Sequence, residues 1–185
     1  DDLIFCAEYA LEQAKQRVRQ SFVIFDNQLG QNLIRIKQIE SRLKAAIRNR
    51  EIRPFYQPEV NMVTGQLTGV EALARWYDPM LGWISPNEFI PIVEHLRLST
   101  ALTHCILLGI FDEAEQIHQR FPGAKIAVNV APQDFLGDQL TNEVEAYAAY
   151  HQPHGLAGFE LELTEQDIVD LDVDMIAKLD RLIET

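Results

Sequence analysis

Three apolar runs in this sequence bring oxygen-bearing side chains to what read as strand ends: GVEALARW (69–76), AKIAVNV (124–130) and GFELELTE (158–165). The first carries Glu71 and, four positions later, Arg75; the second carries Asn129; the third carries Glu162 and Glu165. Carboxylate and amide oxygens are the ligands that hard cations such as magnesium, manganese or calcium prefer. A carboxylate and a guanidinium on one face suit a metal ion beside a phosphate. Zinc would ask for histidine or cysteine, and neither stands at these positions. Strand alternation places Glu71, Leu73 and Arg75 on one face and Val70, Ala72 and Ala74 on the other. Taken alone, the first run is equally readable as an internal Glu71–Arg75 ion pair.

The elements that must position these groups follow from the patterning. Residues 2–19 show helical spacing (Leu3, Cys6, Ala7, Ala10, Leu11, Ala14), and FVIFD (22–26) reads as a short strand. Asn27 is placed to cap a helix over about 28–50 whose stripe is Leu29, Ile36, Ile39, Leu43 and Ala46. RPFYQPEV (53–60) and the run after Thr64-Gly65 read as a hairpin. A loop with Trp76, Asp78, Pro79, Gly82 and Trp83 follows. Ser85-Pro86-Asn87-Glu88 is a helix start with proline at the first helical position and a capping-box glutamate. Helices are expected over about 86–97, 100–120, 139–151 and 173–184, with strands at 124–130 and 158–165. Strand–helix alternation after residue 66 indicates an α/β fold with parallel strands, whose carboxyl ends converge on one face. By the same reading Glu160 alternates away from Glu162.

Composition excludes several classes. The chain has 185 residues, 47% hydrophobic and 24% charged, enough apolar material for a real core. No long uncharged apolar run is present, so no membrane segment is expected, and the start does not resemble a signal peptide. Cys6 and Cys105 lie far apart in apolar-patterned helices, which predicts buried thiols in a reducing, cytoplasmic compartment. The net charge is −12, with +3 in residues 1–50 and −15 in the rest. Such an acidic region is a poor binder of nucleic-acid polymers, but it suits a small phosphate ligand if metal ions neutralise the site. The five histidines share no metal spacing, and Asp167, Asp170, Asp172 and Asp174 read as helix-start charge.

YQPEV, TGQLTGVEALARWYDP, GWISPNEFIPIVE, IAVNVAPQDF and FELELTE, in that order, resemble the EAL-domain family over residues 38–185. Its members are cyclic di-GMP phosphodiesterases of bacterial signal transduction. The resemblance implies the N-terminal half of a (β/α)8 TIM-like barrel. It implies two magnesium or manganese ions and hydrolysis of cyclic di-GMP to pGpG. Glu71, Asn129 and Glu162 match the family's metal ligands, with Glu71 in its signature. Glu165 matches a glutamate that holds a catalytic loop. Gln57, Leu73 and Arg75 match positions that contact the ligand, Arg75 towards a phosphate. AEYALEQAK and QRVRQSFVIFD resemble the last helix and strand of a GGDEF domain. The implied layout is a GGDEF tail at 1–26, a connector helix at 27–37 and an EAL domain from 38.

The family's aspartate pair on the fifth strand, its active-site lysine and a later glutamate lie beyond Thr185. The chain therefore reads as part of a longer protein, inactive by itself, truncated after about four strands and prone to pair as a homodimer through the EAL domain or an open barrel edge. The parent can carry upstream membrane or sensor domains. The alternative function is a non-catalytic cyclic di-GMP receptor or protein-interaction module.

Overall fold

The computed structural model describes residues 6, 7, 9–11, 14, 15, 22–150, 158–163 and 173–183. It resolves two compact units, residues 1–44 and 45–185. In the first, the described residues between 6 and 15 are helical, and Cys6 is half-buried rather than buried. Residues 22–26 form no strand. Phe22 and Ile24 are more than two-thirds exposed, and none of the strands that form the sheet pairs with this segment. Helix α1 (Asn27–Arg48) follows. Its cap is Asp26 rather than Asn27: the Asp26 carboxylate accepts the Leu29 N–H at 2.8 Å, which satisfies one of the unpaired donors of the first turn. Leu29, Leu33, Ile39, Leu43 and Ala46 are buried along α1, while Ile36 is only half-buried.

The second unit is an α/β layer built on a five-stranded mixed sheet. Strand β1 (Ile52–Val60) pairs antiparallel with β2 (Leu67–Asp78), Gln57 opposite Glu71. The turn between them is held by Asn61, whose side-chain oxygen accepts the N–H groups of Val63 and Thr64 at 2.9 and 3.0 Å. Gly65 takes the left-handed conformation (φ 69°) that this turn requires.

β2 runs further than the sequence pattern suggests. The stretch from Trp76 to Trp83 is not a loop, because β2 extends to Asp78 and returns as β3 (Gly82–Ile84). The Asp78 carboxylate closes this tight hairpin by accepting the N–H groups of Met80 and Leu81 at 2.8 and 2.9 Å. Gly82 supplies the positive φ of 72°.

The Ser85–Glu88 start behaves as its sequence indicates. The Ser85 N–H donates to the Glu88 carboxylate at 3.0 Å, and helix α2 (Pro86–His95) begins there. Helix α3 (Ser99–Arg120) leads into β4 (Lys125–Asn129), which pairs parallel with β2. A short 3-10 turn (Pro132–Phe135) and helix α4 (Gln139–Tyr150) precede β5 (Phe159–Glu162), parallel to β4. Helix α5 (Val173–Ile183) is the last element. The strand order β1-β2-β4-β5, with β3 on β2, is an open sheet of the half-barrel kind. Among the described residues no helix is long and apolar enough to cross a membrane.

The two faces of this sheet differ sharply. Ile52, Val70, Ala72, Trp76, Ile126 and Val128 point to one side and are buried, the isoleucines and valines each contributing about 1.5–3 kcal/mol. Trp76 is fully buried and meets Phe89 of α2 edge-on, ring centroids 5.8 Å apart. Phe55, Gln57, Glu59, Asn129 and Glu160, on the opposite side, are exposed. Between α3 and α4, His104 pairs with Glu143 at 2.7 Å, a structural contact on the helix layer. Trp76→Ala is expected to lower stability by about 3–5 kcal/mol. Trp83→Ala, at a side chain 60% exposed, should stay within roughly 1 kcal/mol of the parent. Urea unfolding of the two variants checks both values.

Candidate functional site

The uncovered face of the sheet carries the polar groups because β-strand alternation leaves them nowhere else. Glu71, Leu73 and Arg75 follow one another along β2, with Gln57, Phe55 and Arg53 of β1 directly opposite. Parallel pairing then sets Ala127 beside Glu71 on β4, and Glu162 of β5 beside Asn129. Since positions two apart share a face, Glu71, Asn129 and Glu162 all point to this side. Glu71 does not end its strand. It lies within β2, near the end of the segment (Gly69–Ala72) that pairs with β4.

The groups meet. Asn129 Nδ2 donates to Glu71 Oε1 at 2.8 Å. Arg75 instead donates from Nη1 to its neighbour's carbonyl, Ala74, at 2.9 Å. The Glu71–Arg75 ion pair allowed by the sequence is therefore not formed. Glu162 is half-buried, and its carboxyl is held above the usual carboxylate range, first by burial and then by the negative fields of Glu71, Glu59 and Glu160. Two of those neighbours correct or extend the sequence reading. Glu160 does not turn away from Glu162: residues two apart share a face, and Glu160 lies beside Ala127 in the ladder. Lys125 engages it at 3.2 Å. Glu59 joins this face as well: it stands two residues after Gln57 on β1, a spacing that is enough to place it there.

Close approach of β2 to β4 depends on Gly69. A side-chain carbon there would come within 3.1 Å of the Lys125 carbonyl oxygen and 3.0 Å of a Glu59 carboxylate oxygen. The carboxylate can move aside, but the backbone carbonyl cannot do so without shifting the strand.

Glu71, Glu162 and the Asn129 amide form a set of hard oxygen donors that could hold one divalent cation. Asn129 now turns its amide nitrogen to Glu71, and rotating the amide would present Oδ1 instead. Burial is the larger cause of the raised Glu162 carboxyl, and the negative fields that add to it are what a cation would relieve. Among the described residues, no group of three or more His, Cys, Asp or Glu converges as a metal cluster. Glu165, expected to hold a loop, lies outside the described residues, as do Asp167, Asp170, Asp172, His151 and His154. Asp174, at the start of α5, pairs with Lys178 at 2.7 Å.

Fold and face together define a class: an α/β protein whose sheet gathers ligand-capable carboxylate, amide and guanidinium groups on one side. The EAL domain model matches residues 40–184, most of the chain, and the chain belongs to that family. It is 33% identical over 140 residues to "Probable cyclic di-GMP phosphodiesterase PdeB" of Escherichia coli, covering 75% of this chain and 27% of that protein. It is 30% identical over 183 residues to "Bifunctional diguanylate cyclase/cyclic di-GMP phosphodiesterase MucR" of Pseudomonas aeruginosa, covering 95% of this chain and 26% of that protein. The chain thus spans little more than a quarter of the length of these curated relatives. Among solved structures, "PaMucR Phosphodiesterase, c-di-GMP complex" superposes with a TM-score of 0.64 at 27% identity, over 80% of this chain and 60% of that one.

A carboxyl whose pKa is raised on folding binds its proton more tightly in the native state, so stability falls as pH rises from the unfolded to the folded pKa. Glu162→Gln is therefore expected to stabilise the metal-free chain at neutral pH and to lose that advantage below the ordinary carboxylate range. Thermal melts across pH 3–8 in the presence of a chelator test this. Gly69→Ala should cost roughly 1–3 kcal/mol, seen as a lower denaturation midpoint.

Proposed function

We propose that the protein to which this chain belongs binds cyclic di-GMP on the uncovered sheet face and hydrolyses it to pGpG in bacterial signalling. The observation that carries this reading is the Asn129–Glu71 contact at 2.8 Å with Glu162 in register beside it. It joins three oxygen donors from three strands. The relatives' printed activities and the complex of the MucR phosphodiesterase with c-di-GMP support the choice of ligand.

In this reading Glu71, Asn129 and Glu162 hold a magnesium or manganese ion. When bound, such an ion supplies Lewis-acid stabilisation of phosphoryl charge and a more acidic water. The chain's own residues do the rest. Gln57, directly opposite Glu71, and Leu73 contact the dinucleotide. Arg75, held out of any ion pair with Glu71, offers its guanidinium to a phosphate. Glu165 positions a neighbouring loop. A second cation and the remaining proton transfers call for groups beyond the donors described here.

Residues 1–26 belong in this proposal to the tail of a GGDEF domain, 27–37 to a connector helix and 38–185 to the EAL domain. The alignment with MucR, which reaches over 95% of this chain, supports that layout. The protein is assigned to the cytoplasmic side, and self-association runs through the EAL domain.

Calorimetry in calcium, which is used to hold ligand without turnover, tests the site. Cyclic di-GMP should bind the full-length protein, and Glu71→Gln should weaken binding at least about tenfold, the scale of losing one charged ligand contact. With magnesium, the full-length protein should release pGpG, and the 185-residue chain alone should release none. Binding without turnover by the full-length protein would instead establish a cyclic di-GMP receptor. No binding in either ion would overturn the proposal.

A further inference from the structure

One rung of the sheet runs Gln57–Glu71–Ala127–Glu160 across four strands. Glu71 and Glu160 are two strand spacings apart, roughly 9.5 Å. Between them Ala127 offers only a methyl group, so the two carboxylates could reach over it to a shared cation. The rung below is Glu59–Gly69–Lys125. Gly69 has no side chain there, and the Glu59 carboxylate lies over it, 3.0 Å from where a side-chain carbon would stand. Burial first, and then the fields of Glu71, Glu59 and Glu160, raise the Glu162 carboxyl, so the other three glutamates all act on the fourth.

Lys125 reaches diagonally from the lower rung to Glu160, Nζ to Oε2 at 3.2 Å. Among the described residues it is the only basic side chain paired with any of these four glutamates. The two side chains are 57% and 50% exposed, and a pair so placed adds little to stability. What it changes is the donor set. A cation that meets Glu71 can take Asn129 and Glu162 on one side, or Glu160 on the other. With Glu160 drawn to Lys125, only the first choice is free. The absence of a converging carboxylate cluster among the described residues agrees with this.

We infer that Lys125 is a positioning residue that acts through Glu160: by holding that carboxylate, it confines a divalent cation to the Glu71–Asn129–Glu162 end of the face. The ammonium also repels a cation from the lower rung, where Glu59 and Glu160 would otherwise offer carboxylates of their own. The inference rests on the reading of Glu71, Asn129 and Glu162 as cation ligands, and it gives Lys125 and Glu160 a part in selecting them.

The test titrates manganese alone into the chelator-treated full-length protein, followed by calorimetry, and needs no nucleotide. Lys125→Met should tighten binding about tenfold, within the range of coupling between neighbouring charged groups, because Glu160 joins the donors. Adding Glu160→Gln to that variant should return the affinity to within about twofold of the parent. Lys125→Arg keeps the charge and should also stay within about twofold. The tightening should persist at about 1 M salt, where the screening length is about 3 Å, because it comes from a direct ligand rather than from net charge. Equal melting temperatures without metal would show that the variants fold.

If Lys125→Met binds manganese as the parent does, or more tightly only at low salt, Lys125 does not select the ligands and the inference is overturned. Cyclic di-GMP binding by the parent would then leave the functional reading standing. If the variants lower the melting temperature together and leave manganese affinity unchanged, the pair only braces β4 against β5, which also overturns it. If the manganese pattern holds but the parent neither binds nor cleaves cyclic di-GMP, the inference stands and the functional reading fails. If Glu71→Gln leaves the manganese isotherm of the parent unchanged, the cation site is misplaced and both fail.

Discussion

The close approach of β2 to β4 is the constraint on which the candidate site depends. The two backbones meet where Gly69 has no side chain to hold the Lys125 carbonyl away. From that contact the parallel ladder runs Gly69–Lys125, Val70–Ile126, Glu71–Ala127, Ala72–Val128. β5 continues it, with Glu162 beside Asn129. A slip of one residue would send Glu71 into the helix-covered layer and Val70 into water. The register is therefore fixed by burial on one face, and the chemistry of the other face follows from it. The 2.8 Å contact between Asn129 and Glu71 is a product of that register rather than its cause.

The same arrangement opposes stability to function. The covered face has the ordinary composition of a sheet packed under helices. The open face concentrates Glu59, Glu71, Glu160 and Glu162, and, after burial, the first three add to the raising of the Glu162 carboxyl. Among the described residues, only Glu160 of these four has a cation beside it, in Lys125. A sheet selected for stability alone would have alternated these signs across its strands. Locally unfavourable choices of this kind are expected where a binding site is built.

Much of this could be read from the chain because it is encoded locally. Alternation put Glu71, Leu73 and Arg75 together, and the Ser85–Glu88 pattern marked the start of α2. The failures have physical causes. FVIFD has the composition of a strand, but strand formation needs a partner, and composition carries no record of one. The Trp76–Trp83 stretch looked like a loop because Asp, Pro and Gly punctuate it. Those same residues make a tight hairpin once Asp78 caps its turn. Asp26, not Asn27, caps α1, a shift of one position that propensity alone does not resolve. Arg53 gains meaning only through Arg75 on the strand opposite it, which is information about pairing rather than about sequence.

Distance along β2 explains how one face keeps both acidic and basic groups available. Residues 71 and 75 are four apart on an extended strand, a separation of roughly 13 Å, too far for a direct ion pair in this geometry. The level between them is apolar, Leu73 opposite Phe55. Glu71 and Gln57 therefore form one polar layer, and Arg75 and Arg53 form another. Leu73 and Phe55 insulate the two layers from each other. Without that layer the carboxylates would neutralise the arginines, and neither cation nor phosphate would find a free partner. An i, i+4 spacing that on a helix would bring Glu and Arg into contact serves on a strand to keep them apart. The Glu-Ala-Leu-Ala-Arg run can thus carry a carboxylate and a guanidinium four residues apart without losing either to an internal bond.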